Sequence, residues 1–143
     1  MPDTVIQQLL KDAKTIAVVG MSAKPGRASH EVAAYLQKNG YRIIPVNPNE
    51  AGNHILNETC YASLTEAVAA TGLSIDIVDC FRKSADIPAI ADEAIRVSAG
   101  CLWMQLDVVN ESAAEKAKAA GLHVVMDRCT KIEHALWLSR KPR

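Results

Sequence analysis

Thr15-Ile16-Ala17-Val18-Val19-Gly20-Met21-Ser22-Ala23-Lys24-Pro25-Gly26-Arg27-Ala28-Ser29 is the stretch on which the fold turns. Its first five residues are apolar and rich in β-branched side chains, and the run is too short for a helix, so it reads as a buried strand. Gly20 ends the strand, and a polar loop with two glycines and a proline leads straight into helical periodicity, with Val32, Tyr35 and Leu36 on one face. Ser29 is the residue type that caps such a helix, and Gly40 the type that closes it. Strand, glycine-bearing loop and helix start together form a phosphate-site geometry: backbone N–H groups converge at the positive end of a helix, beside Lys24 and Arg27.

Four further strand-like runs follow, at 42–46, 74–79, 100–104 and 123–126. Their spacing is that of a strand plus a crossover helix. Between them the sequence predicts helices near 4–11, 64–71, 88–98 and 131–139. The clearest one starts from Asn110 as cap, has Glu111 at its positive end and Lys116 and Lys118 in its last turns, and stops at Gly121. Strict alternation implies parallel strands, hence a three-layer, doubly wound, Rossmann-like α/β fold with a five-stranded sheet. Near-continuous apolarity of the strands fits burial on both faces.

The chain has 143 residues, the length of one domain, so residues 1–143 are read as a single domain. It is 49% hydrophobic, which excludes a disordered chain. Sixteen basic residues balance sixteen acidic ones, so no global field favours nucleic acid or an anionic membrane. No apolar run approaches the roughly 18 residues of a membrane span, and no signal peptide is evident. Cys60, Cys80, Cys101 and Cys129 are widely spaced, without C-x-x-C pairs or zinc-type spacing, which fits core filler in a reducing, cytoplasmic setting.

Open α/β sheets bind ligands beyond the carboxyl ends of their strands, so the residues after each strand are the candidates. The first loop contains neither G-x-G-x-x-G nor G-K-[ST], which excludes the usual dinucleotide fingerprint and the P-loop. The second strand ends in Asn47-Pro48, where a typical NAD site offers Asp or Glu to the ribose.

Gly20-Met21-Ser22-x-Lys24-Pro25-Gly26-Arg27-x-Ser29-His30, Tyr41-Arg42-Ile43-Ile44-Pro45-Val46-Asn47-Pro48, Asp76-Ile77-Val78-Asp79-x-Phe81-Arg82, Trp103-Met104-Gln105 and Met126-Asp127-Arg128-Cys129-x-Lys131-Ile132-Glu133-His134 occur in that order. In this set the chain resembles the small stand-alone coenzyme A-binding domain family, in register from about Thr15 to His134. That family is itself similar to the CoA-binding N-terminal domain of the succinyl-CoA synthetase α subunit. The resemblance implies a five-stranded Rossmann-like fold and coenzyme A or an acyl-CoA as ligand. It does not imply the ligase reaction, which needs a phosphohistidine domain and an ATP-grasp partner.

Carried onto this sequence, the resemblance places Gly20, Met21, Ser22, Lys24, Gly26, Arg27 and Ser29 at the phosphates. Asn47 and Pro48 form a wall or an ordinary turn. Phe81 and Arg82 hold the adenine, unless Phe81 is a core residue. Gln105 reaches the pantetheine amides while Trp103 packs in the core. Asp127 reads as a helix cap or a partner of Arg128, and His30, His123 and His134 as structural. Cys129, between Arg128 and Lys131, is an inert packed thiol or a thiol able to pair with that of CoA. Lys24, Arg27, Arg82, Lys83, Arg128 and Lys131 together form a local basic rim. No nucleophile–base pair stands out, so a non-catalytic carrier, sensor or adaptor is the leading expectation. The alternatives are an enzyme acting on an acyl-CoA through His30, Asp127 or Cys129, and a NAD(P)-binding regulator on the same fold. The sequence points to no particular protein partner.

Overall fold

The computed structural model describes residues 2–140. In chain order the elements are α1 (Asp3–Asp12), β1 (Thr15–Val19), α2 (Ala28–Lys38), β2 (Arg42–Val46), β3 (His54–Ile55), β4 (Glu58–Thr59), α3 (Leu64–Thr71), β5 (Ile77–Cys80), α4 (Ile87–Arg96), β6 (Cys101–Met104), α5 (Glu111–Ala119), β7 (His123–Val125) and α6 (Thr130–Arg140). Five strands form one parallel sheet in the order β2-β1-β5-β6-β7. This is the Rossmann-like α/β architecture that the alternating sequence implies.

Side-chain alternation divides the core between the two faces of the sheet. Ile16, Val18, Ile43, Ile77 and Trp103 pack on one side with Ile6, Leu10, Val32, Ala33 and Leu36 of α1 and α2. Ala17, Val19, Ile44, Val78 and Leu102 pack on the other with Leu64, Ala67, Ala91, Ala94, Ala113 and Ala117 of α3, α4 and α5. Alanines dominate the helical contribution to the second layer, which lets these helices lie close to the sheet. Trp103 is fully buried, and its Nε1 donates to the Arg128 carbonyl at 2.7 Å, so its indole is core with its polar atom satisfied.

β2 lies at the sheet edge, the position that tolerates Pro45, which has no N–H to give to a ladder. A hairpin not predicted from the sequence, β3 paired antiparallel with β4, covers this edge. Arg42 anchors it through an ion pair with Glu58, 2.5 Å from Nε to Oε2. Leu56 and Asn57 turn the hairpin at φ +53° and +63°. A turn with two positive φ values usually carries Asn or Gly, and Leu56 hides the signal.

Three sequence-based boundaries are corrected. The third strand of the sheet begins at Ile77 rather than at 74, because Asp76 turns its carboxylate to the N–H groups of Lys14 and Thr15 (2.8 and 3.0 Å). Ser29 is not the cap of α2: the helix begins at Ala28 with Arg27 in the N-cap position, and no side chain caps it. Asp127 neither caps α6 nor pairs with Arg128. It adopts φ +57°, and its Oδ1 accepts from the Asp107 N–H at 2.7 Å, tying the loop after β7 to the loop after β6. Asn110 caps α5 as expected, accepting from Ala113 N at 2.9 Å, and Gly40 and Gly121 follow their helices at positive φ. Among the described residues, no helix is long and apolar enough to cross a membrane.

Candidate functional site

The chain runs from β1 outward to β2 and then returns past β1 to β5. The loops after β1 and β5 therefore leave the sheet side by side and in opposite senses, which opens a crevice between them. Gly20 sits at that point with φ +86°. A Cβ there would lie 2.5 Å from the Phe81 carbonyl oxygen and 2.9 Å from Arg82 Cδ. Only glycine allows the two loops to approach this closely.

Two clefts open from Gly20. The smaller is lined by Gly20, Ser22, Lys24, Arg27, Ser29 and Phe81. The larger, about 490 Å³, has an apolar floor of Val19, Val46, Leu64 and Ile90 and a polar rim that includes Asn49, Arg82, Asp86 and Glu93. Pro48 lines the larger cleft from the turn that follows β2.

The smaller cleft gathers unpaired cations and uncapped helix N–H groups. The first N–H groups of α2 have no side-chain cap, and no ion pair among the described residues uses Lys24 or Arg27. Uncompensated N–H groups and cations at a helix start are the elements of a phosphate seat. The serines shape the loop: Ser29 Oγ accepts from Ser22 N at 3.0 Å, and Ser22 Oγ accepts from Lys24 N at 3.1 Å. Met21 is buried, so it can offer a ligand only its backbone. Gly26 is exposed at the loop tip, with nothing within 4 Å of where a Cβ would stand. Asn47 braces the loop from β2, its Nδ2 donating to the Met21 carbonyl at 2.9 Å while its Oδ1 accepts from Asn49 N at 3.0 Å.

Gln105 stands apart from both clefts. It is buried, and its Nε2 donates to Asp79 Oδ1 at 2.5 Å and to Thr130 Oγ1 at 2.9 Å. Thr130 Oγ1 in turn donates to Asp79 Oδ2 at 2.9 Å. Burial pushes the Asp79 carboxyl up to about 7, against the opposing effect of these two hydrogen bonds. The network joins the ends of β5 and β6 to the first turn of α6 behind the crevice.

The remaining candidates lie elsewhere. Arg128 pairs with Asp3 and Glu133, Lys131 stands over the Tyr35 ring at 5.6 Å, and Lys83 lines neither cleft, so the basic residues at the crevice reduce to Lys24, Arg27 and Arg82. Cys129 is buried in the α1–α2–α6 layer and lines neither cleft. His134 is buried, 2.8 Å from the Tyr35 hydroxyl and edge-on to Tyr35, Tyr41 and Trp137; burial lowers its pKa. Among the described residues no cluster of His, Cys, Asp and Glu could hold a metal ion.

Sequence reasoning missed the far wall of the larger cleft, Ser63, Leu64, Asp86, Ala89, Ile90 and Glu93. One signal for it exists. Ser63 caps α3, accepting from Glu66 N at 3.1 Å in an S-x-x-E pattern that fixes where this helix begins.

A family model described as a CoA binding domain matches residues 14–135, from the start of β1 into α6. The chain belongs to that CoA-binding domain family. It is 38% identical over 131 residues, 92% of this chain and 93% of the relative, to the uncharacterized protein YneT of Bacillus subtilis (strain 168). A solved structure from Thermus thermophilus, titled cell-free ID.343, superposes with a TM-score of 0.89 at 34% identity, covering 96% of this chain and 99% of that one. A hypothetical protein from Pyrococcus horikoshii OT3 does so with a TM-score of 0.88 at 35% identity, covering 96% and 93%. Likeness extends in fold alone to an acetyl-coenzyme A synthetase of Ca. Korarchaeum cryptofilum (17% identity, TM-score 0.64, 78% of this chain and 25% of that one). It extends likewise to a Rex-family repressor in complex with beta-NADH (14%, TM-score 0.58, 89% and 59%).

Proposed function

We propose that the protein binds coenzyme A or an acyl-CoA across Gly20, as a non-catalytic carrier, sensor or adaptor in the cytoplasm. The pyrophosphate lies over Gly20 and the α2 N-terminus, held by Lys24 and Arg27. The rest of the ligand extends into the larger cleft along the Pro48 wall, with Phe81 and Arg82 at the junction. The observation that carries this reading is the pairing of a glycine-only approach with uncompensated N–H groups and cations at one helix start. It is also what a coenzyme with phosphates in its middle requires, since both of its ends need room beyond the anion seat.

A second reading, a NAD(P)-binding regulator, draws on the fold shared with the repressor bound to NADH. It is the weaker of the two. The residue after β2 is Asn47, and its amide is already engaged by Met21 and Asn49, leaving no carboxylate there for a ribose.

Thermal unfolding with CoA, dephospho-CoA, NAD and ATP, each well above its dissociation constant, separates the readings, because a ligand of the native state raises the midpoint by mass action. CoA is expected to give the largest rise. A rise with NAD and none with CoA overturns the proposal, and turnover of an acyl-CoA by the purified protein replaces the carrier reading with an enzymatic one.

A further inference from the structure

Among the described residues, Arg82 is the one basic side chain lining the larger cleft, and it is already engaged. Its Nη2 lies 3.2 Å from Asp86 Oδ2, across the single 3-10 turn Ser84–Asp86. Both side chains are partly exposed, at 44% and 39%. The stem of Arg82 passes beside Gly20, the residue shared by both clefts, with Cδ 2.9 Å from where a Cβ at Gly20 would stand. The other carboxylate of this cleft is committed elsewhere: Glu93 Oε1 accepts from Thr65 N and Thr65 Oγ1 at 3.0 and 3.2 Å. Asp86 is thus the carboxylate of the cleft whose partner is the cleft's own cation.

A carboxylate and a phosphate are alternative anions for the same planar fork of guanidinium donors. An exposed pair of this kind is weak and screened by salt, so a phosphate placed at Gly20 can displace it. We infer that Asp86 is an intramolecular stand-in for a ligand phosphate: it holds Arg82 in the free protein and yields it to a phosphate of the bound ligand. This rests on the coenzyme reading and adds a residue that sets affinity by competing for Arg82. The exchange rewards ligands whose phosphate reaches Arg82, and it lowers apparent affinity by the fraction of Arg82 that Asp86 retains.

Calorimetric titration of wild type, Asp86→Asn, Arg82→Ala and the double variant with CoA and with pantetheine, which has no phosphate, tests the exchange. Asp86→Asn is expected to bind CoA about two- to five-fold more tightly, the range that exposed ion pairs reach. The gain should shrink as salt is raised and vanish in the Arg82→Ala background, while any pantetheine affinity should be the same with and without Asp86→Asn. Wild type that binds CoA while Asp86→Asn binds it equally or less tightly overturns the exchange alone. So does a gain that survives Arg82→Ala. Wild type that does not bind CoA overturns the coenzyme reading and the exchange with it. Thermal midpoints of the variants, expected within a few degrees of wild type, confirm that the folded state is being compared.

Discussion

The two clefts that meet at Gly20 differ in charge and in construction. On the α2 side, Lys24 and Arg27 have no partner acid among the described residues, and the loop carrying them is stitched by Ser22, Ser29 and Asn47. On the α3–α4 side the floor is apolar, and each charged group of the rim has a protein partner, Arg82 with Asp86 and Glu93 with Thr65. On the proposed reading the difference is a division of labour: one side offers uncompensated positive potential to an anion, the other offers volume to a less charged group. A chain of zero formal charge can do this because its balance is global while its imbalance is local.

The strongest way to break this comparison is to close the junction itself. Gly20→Ala places a Cβ against the Phe81 carbonyl at an unfavourable φ, so it should cost roughly 2–4 kcal/mol in denaturant unfolding and abolish CoA binding in titration. Next, Ala89→Trp fills the larger cleft from α4, where Ala89 is exposed. It should weaken CoA more than about tenfold while leaving inorganic pyrophosphate binding intact, which would show the clefts to be separable. Arg27→Ala removes a cation from the smaller side. CoA binding should fall by about tenfold, as expected for a hydrogen bond to a charged group, with the thermal midpoint unchanged.

A further prediction concerns stability rather than binding, at the buried network of Asp79, Gln105 and Thr130. Asp79 has a folded-state pKa raised to about 7 from its ordinary 3.8, so the folded protein holds a proton that the unfolded chain releases. Stability should therefore fall as pH rises from about 4 through 7, and then level off. Asp79→Asn should flatten that slope in denaturant midpoints measured across the range. An unchanged slope would assign the pH dependence to other groups.

The fold was legible because its signals are local and repeated. The runs at β1 and β2 and the cap of α5 stand at the residues their chemistry predicts. The hairpin at β3 and β4 was hidden because its turn uses Leu56, a residue chosen against by φ. The grouping of Gly20, Lys24 and Arg27 was legible for the same reason as the strands: they are neighbours in sequence. The far wall was not, since Asp86, Ala89 and Ile90 reach the site only through strand order, and nothing in α4 announces which end of it faces Gly20. Gln105 shows the opposite case. Its position after a strand suggested a ligand contact, but its amide donates to Asp79, a buried carboxylate on the neighbouring strand whose need for donors takes it inward.

The strand order has a kinetic consequence. β1 is the first strand made, yet its pairing with β5 joins Thr15 to Asp76, 61 positions apart. Closing so long a loop precedes any reward from the contacts it permits. The crevice at Gly20 does not exist until that pairing is made, so a ligand seated there during refolding marks the moment the two halves of the sheet join. Its uptake then times the joining of the two halves of the sheet.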